Sequence, residues 1–140
     1  MTNPAPLRDF ILDQAWQRLD RLALEAARSV DSQDEEAIHD LRVAMRRFSQ
    51  SLILFPDLFP PKAAGKINRR IKKMMGRTSE VRNRDIAMAH LVGSGDKGVL
   101  RRLGRERDGL AGEFHRAILR WQTRDFAALW RADLRLERRP

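Results

Sequence analysis

His39, Arg42, Arg46 and Arg47 fall within one short stretch, IHDLRVAMRR, from Ile38 to Arg47. A guanidinium is permanently charged and offers a planar fork of donors that matches the non-bridging oxygens of a phosphate. A histidine adds one more donor, and a further charge once mildly acidic solution protonates it. If the stretch is helical, at about 100° per residue His39, Arg42, Arg46 and Gln50 share one face, with Arg47 beside them. Ile38, Leu41, Met45, Phe48, Leu52 and Phe55 then form the opposite, apolar face. Exposed helices ordinarily mix charge signs at i,i+4, yet this row holds no acidic residue. The chemistry expected of it is anion binding.

A second basic row follows, made of Lys62, Lys66, Arg69, Arg70, Lys73 and Arg77, with Arg84 continuing the line of Lys66, Lys73 and Arg77. Arg84 is therefore expected to touch the anion directly. Two neighbouring helices with faces of one sign repel each other, and a bound polyanion compensates. Arg82 and Asp85 are expected to project together toward the apolar side of the same helix, either as a structural ion pair within the bundle or with Arg82 as a further anion contact. A carboxylate repels phosphate, so Asp85 is assigned to orienting Arg82 or a neighbouring arginine. Catalysis has little to stand on. His39 beside Asp40 matches the pair from which some metal phosphohydrolases start, but such a centre needs further converging ligands, and His90 and His115 stand alone. Ser49, Ser51, Thr78 and Ser79 have no base at activating spacing. No catalytic residue, metal or cofactor is expected, and the chain is read as a non-enzyme.

The pattern H-x-x-R-V-x-x-R-R from His39 to Arg47 resembles the first motif of CHAD domains, the conserved-histidine α-helical domains. The family's second motif, a leucine-glycine pair followed by Arg-Asp and a further Asp, is echoed in TSEVRNRDIAMAHL from Thr78 to Leu91. Arg82 and Asp85 match it, while Ser79 replaces the glycine and Asn83 the first aspartate. The resemblance implies a helical module that binds inorganic polyphosphate on a basic surface. It also implies company, since such domains often accompany triphosphate-processing domains, making an enzyme of that kind a candidate partner.

Composition agrees with a polyanion ligand. The chain has 140 residues, with 28 Lys+Arg against 19 Asp+Glu and a formal charge of +9. Nucleic acid is the main rival. Against it, tyrosine is absent and the Phe and Trp residues occupy core spacing, so base stacking lacks a platform. No stretch approaches the roughly 20 apolar residues of a membrane span, no leader peptide is evident, and cysteine is absent. The expectation is a cytoplasmic protein without membrane contact, associated with polyphosphate granules if polyphosphate is its ligand.

The elements that must position these residues are helices throughout, and the expected fold is all-α: an up-and-down four-helix bundle with a short extra C-terminal helix. Residues 1–6 are read as a disordered lead, 7–135 as one domain and 136–140 as a basic tail. The first helix is marked by Leu12, Trp16, Leu19, Ala23, Ala26 and Val30. The second opens on Ser32 as its N-cap, with Glu35 completing a capping box, and ends before Pro56. The third starts at Pro61 and runs to Leu91 or Val92, with Gly76 as a point of bending. Gly93 to Asp96, GSGD, stops it and caps the fourth, which extends from Lys97 to about Gln122. Gly104, Gly109 and Gly112 are expected to mark close helix packing or irregularity there. Thr123 is expected to start the last helix, with Phe126, Leu129 and Trp130 on its apolar side.

CHAD domains usually pair two four-helix halves, whereas this sequence holds one H-x-x-R-V-x-x-R-R segment. The resemblance thus implies a homodimer, and Phe126 to Trp130 is the expected dimer surface.

Overall fold

The structure is a computed structural model that describes residues 5–136. The expected lead from 1 to 4 and the tail from 137 lie outside the described residues, while Ala5 and Pro6 are helical and Leu136 is buried. Five α-helices and one short 3-10 turn make up the described chain, with no strand among them. Helix α1 is Ala5–Asp31, α2 Glu35–Leu54, α3 Pro61–Leu91, α4 Lys97–Thr123 and α5 Phe126–Asp133. Helix α1 packs on α2, α2 on α3, α3 on α4, and α4 closes back onto α1. Each consecutive pair runs antiparallel, as the short connections require. Arg18 meets Arg47 and Ser51 while Arg28 meets Asp40, and Arg42 meets Met75 while Ser49 meets Asn68.

Helix boundaries follow local chemistry. The cap of α2 is Asp34, not Ser32: the Asp34 carboxylate accepts from the Ala37 amide at 2.8 Å, while the Ser32 hydroxyl accepts from the Asp34 amide at 3.4 Å. A cap must stand immediately before the first helical residue to reach the orphan amides, and Asp34 does. The Ala37 amide, helped by Ser32, holds the Asp34 carboxyl below the usual carboxylate range. Helix α2 stops at Leu54 ahead of the 3-10 turn Pro56–Leu58, and Pro61 opens α3 as its first residue. Helix α3 runs uninterrupted through Gly76. Gly93 and Gly95 take φ of 91° and 83° in the turn after it, and Asp96 caps α4 by accepting from the Val99 amide at 3.1 Å. Thr123 closes α4 instead of starting α5. The reversal falls at Asp125, whose φ of 50° suits a short polar side chain.

The core runs the length of the bundle. On α1 the buried apolar residues are Ile11, Ala15, Leu19, Leu22 and Ala26; Leu19 and Ala26 are buried as predicted, while Leu12, Trp16, Ala23 and Val30 of the expected stripe pack at the margin. The physical reason is that α1 lies between α2 and α4 and buries a wider arc than a single stripe. On α2, Ile38, Leu41, Met45, Phe48 and Leu52 are buried as expected, with Phe55 at the half-buried helix end. Helix α5 folds against α1, α3 and α4. Trp130 stacks on Phe48 at 6.1 Å and meets Trp121 and Phe126 edge-on at 5.1 and 4.9 Å. Phe126, Ala127 and Trp130 of the expected dimer surface therefore fill their own bundle, while Ala128 and Leu129 are exposed.

Candidate functional site

The seam between α2 and α3 is stitched by an arginine. Nη1 of Arg42 donates to the Met75 carbonyl at 3.1 Å and to the Thr78 and Ser79 hydroxyls at 2.8 Å each. Arg42 was expected on a free face opposite the core, but it is half-buried at the helix edge. Only about 100° separates it from buried Leu41, so a neighbouring helix can reach it. Burial first, then the positive charges of Arg82 and Arg46, push the Arg42 guanidinium below its ordinary value. Those causes place three guanidiniums in one electrostatic neighbourhood. Arg46 and Arg82 are both exposed and have no ion-pair partner among the described residues. Asn68, Met75 and Ser79 bond to α2, which identifies the edge of α3 that faces this seam. Exposed Lys72 falls on that edge at the same three-and-four spacing, and so does Arg82. Lys72 was missed in the sequence because the α3 cations were grouped as one row.

His39 is exposed on the crest of α2 and borders two depressions. One, of ≈ 550 Å³, lies between α2 and α3 and includes Arg82 and Asp85, with Glu35 and Glu36 at the α2 start. The other, of ≈ 670 Å³, lies between α1 and α2 and brings Gln14, Gln17, Arg18 and Arg21 up to Asp40 and Arg47. Arg47 thus turns toward α1, away from Arg42 and Arg46. Arg28 links the same helices, contacting Asp40 at 2.6 Å, buried Glu25 at 3.4 Å and Glu36 at 3.6 Å. The α2–α3 depression at His39 thus mixes Arg82 with three carboxylates, and α2 continues from it to Arg42 and Arg46.

The α3 cations do not form one surface. Lys66 and Arg69 are exposed and unpaired among the described residues, whereas Arg70, Lys73 and Arg77 turn to α4 and α5. Arg84 is not free for an anion: Glu80 at 2.8 Å and Glu106 at 3.3 Å neutralise it. Nor does Asp85 orient Arg82. Its partner is Arg107 of α4, whose Nε donates at 3.0 Å while Nη2 reaches the Gln33 carbonyl at 2.7 Å. Arg82, predicted on the apolar side, points to solvent instead. Glu80 stands four residues before Arg84 on α3 itself, a pair that helical spacing allows, whereas Glu106 and Arg107 arrive from α4 and spacing within α3 could not foresee them.

The family model for the CHAD domain matches residues 13–138, nearly the whole chain. The chain belongs to the CHAD domain family. No curated protein and no solved structure gives a significant match to it. Within this CHAD domain the two motifs meet in space: His39, Arg42 and Arg46 from the first, Ser79 and Arg82 from the second. Ser79, standing where the motif has glycine, supplies a hydroxyl that Arg42 uses. Asn83, in the place of the motif's first aspartate, is exposed. Among the described residues no three His, Cys, Asp or Glu side chains are grouped to hold a metal ion, and no helix is long and apolar enough to cross a membrane.

Proposed function

We propose that this CHAD domain holds inorganic polyphosphate along the α2–α3 seam and performs no chemistry on it. The observation that carries the reading is the cluster of Arg42, Arg46 and Arg82. Arg42 is pressed below its ordinary basicity by burial and by the other two charges, and neither Arg46 nor Arg82 makes an ion pair among the described residues. A polyanion laid over the seam turns that repulsion into attraction. Arg42, held by three hydrogen bonds to α3, is the fixed post. Arg46, Arg82 and Lys72 are free to wrap successive phosphates, and His39 adds a donor at the lower end. Lys66, Arg69 and Arg47 extend the field on either side. Among the described residues no Phe or Trp lines the depression between α2 and α3, which favours an inorganic chain over single-stranded nucleic acid.

Counterion release makes such binding fall with salt, with a slope that counts the phosphates neutralised. Replacing Arg46 and Arg82 together by alanine should flatten the salt dependence of long-chain polyphosphate binding by about one to two in slope while helicity stays unchanged. The wild-type domain should prefer polyphosphate to single-stranded DNA in direct competition. It should also release no phosphate from either polyphosphate or nucleotides when supplied with divalent metal. An unchanged slope in a folded double variant removes the seam as the site.

A further inference from the structure

Away from the seam, α3, α4 and α5 enclose a cavity of ≈ 210 Å³ that opens to solvent. Arg70, Lys73 and Arg77 border it from α3, and Arg120 and Arg124 from α4. None of the five makes an ion pair or side-chain hydrogen bond among the described residues. Among the described residues no carboxylate lines the cavity; Glu80 and Glu113 border an adjoining depression that also reaches Arg77. Two antiparallel helices therefore face each other with like charges across an open space, a costly arrangement unless an anion fills it. The rest of the lining is different in kind. Trp121 and Leu129 present partly exposed apolar surface, backed by buried Phe126 and Trp130. Trp121 is held in place by Phe126 at 4.9 Å, so its exposed side is a rigid platform.

We infer that this cavity binds a nucleoside polyphosphate, with the phosphates among the five cations and the base against Trp121. An inorganic chain would use the cations but gain nothing from the apolar half of the lining. A nucleotide matches both halves: charge-assisted bonds for its phosphates and a flat ring for its base. The site is separate from the α2–α3 seam and does not rest on the polyphosphate reading.

Calorimetric titration of the full chain at near-physiological salt, comparing adenosine triphosphate with inorganic tripolyphosphate, tests it. Adenosine triphosphate should bind about tenfold more tightly, the contribution of one stacked base. Arg120→Ala combined with Arg124→Ala, two exposed positions, should weaken it by about tenfold or more. Trp121→Leu should erase the preference for the nucleotide while tripolyphosphate binding persists. Arg46→Ala with Arg82→Ala should leave nucleotide binding in place, separating this site from the seam. Equal affinity for the two probes overturns the nucleotide assignment. Unaltered binding in the Arg120 and Arg124 variant overturns the cavity itself, and decides the matter even if Trp121→Leu fails to fold.

Discussion

Asp85 and Arg82 stand one helical turn apart and meet opposite surroundings. Asp85 is 12% exposed and bound to Arg107, itself 20% exposed, which also reaches the Gln33 carbonyl before α2. One guanidinium so ties α3, α4 and the α1–α2 connection together. Deleting one member of a largely buried pair strands the other's charge and donors, a loss that exceeds the net value of the pair. Asp85→Ala should therefore destabilise the fold by about 1–3 kcal/mol in urea unfolding, with solvent at its margin keeping the figure below that of a fully buried pair. Arg82→Ala should change stability by less than about 0.5 kcal/mol, the usual range at an exposed, unpaired position. The same substitution should weaken polyphosphate binding. If Arg82→Ala unfolded the chain as readily as Asp85→Ala, the separation of structural from ligand-facing roles would be wrong.

At the scale of the elements, α4 carries glycines that its packing does not require. A methyl group placed on Gly104 or Gly109 meets nothing within 4 Å, and one on Gly112 meets only the flexible end of Arg116 at 3.6 Å. The expectation that these glycines mark a close helix crossing is therefore overturned. Helix α4 is continuous from Lys97 to Thr123, held by its Asp96 cap and by Ala111, Phe114, Ala117 and Ile118 against the core. Glycine in a helix interior costs backbone entropy without return when no neighbour needs the space. Gly104→Ala and Gly109→Ala should each stabilise the domain by about 1 kcal/mol, seen as a raised thermal midpoint, and their effects should add. Destabilisation by either would mean that a contact absent from this structure presses on that face. Neither glycine lies in the proposed sites, so polyphosphate and nucleotide binding serve as controls.

At the scale of the molecule, the chain carries a formal excess of +9, part of it on the α2–α3 seam and part around the cavity beside α5. Association of two such chains is opposed by their charge, and a shared polyanion removes that opposition. We propose a two-fold dimer favoured by added polyphosphate; Phe126, Ala127 and Trp130 are buried inside each bundle, so of the expected interface segment only Ala128 and Leu129 are exposed. Light scattering coupled to size exclusion, at tens of micromolar with and without polyphosphate, should show mass moving toward the dimer when the ligand is present. A monomer mass in both conditions would rule the dimer out.

Helix number, the stop at Pro56, the start at Pro61 and the GSGD turn were legible in the sequence. Each depends on interactions a few residues apart: a proline ring, a glycine dihedral, an aspartate one turn from its amide. The meeting of His39, Arg42 and Arg46 on one helix was legible for the same reason. What tertiary structure alone decided was which cations remain free. The Glu80–Arg84 pair lies within one turn of α3 and was open to the sequence, but Glu106 joins it only from α4, and Asp85, expected to orient Arg82 or a neighbouring arginine, meets Arg107 from that same helix. Arg120 and Arg124 drew no attention until α4 turned them toward Arg70 and Lys73, and Lys72 joined the seam only once Asn68 and Ser79 showed which edge of α3 faces α2. Helical periodicity fixes the angle of a side chain about its own axis. It carries no information on the neighbour at that angle, and the charge left over for a ligand depends on that neighbour.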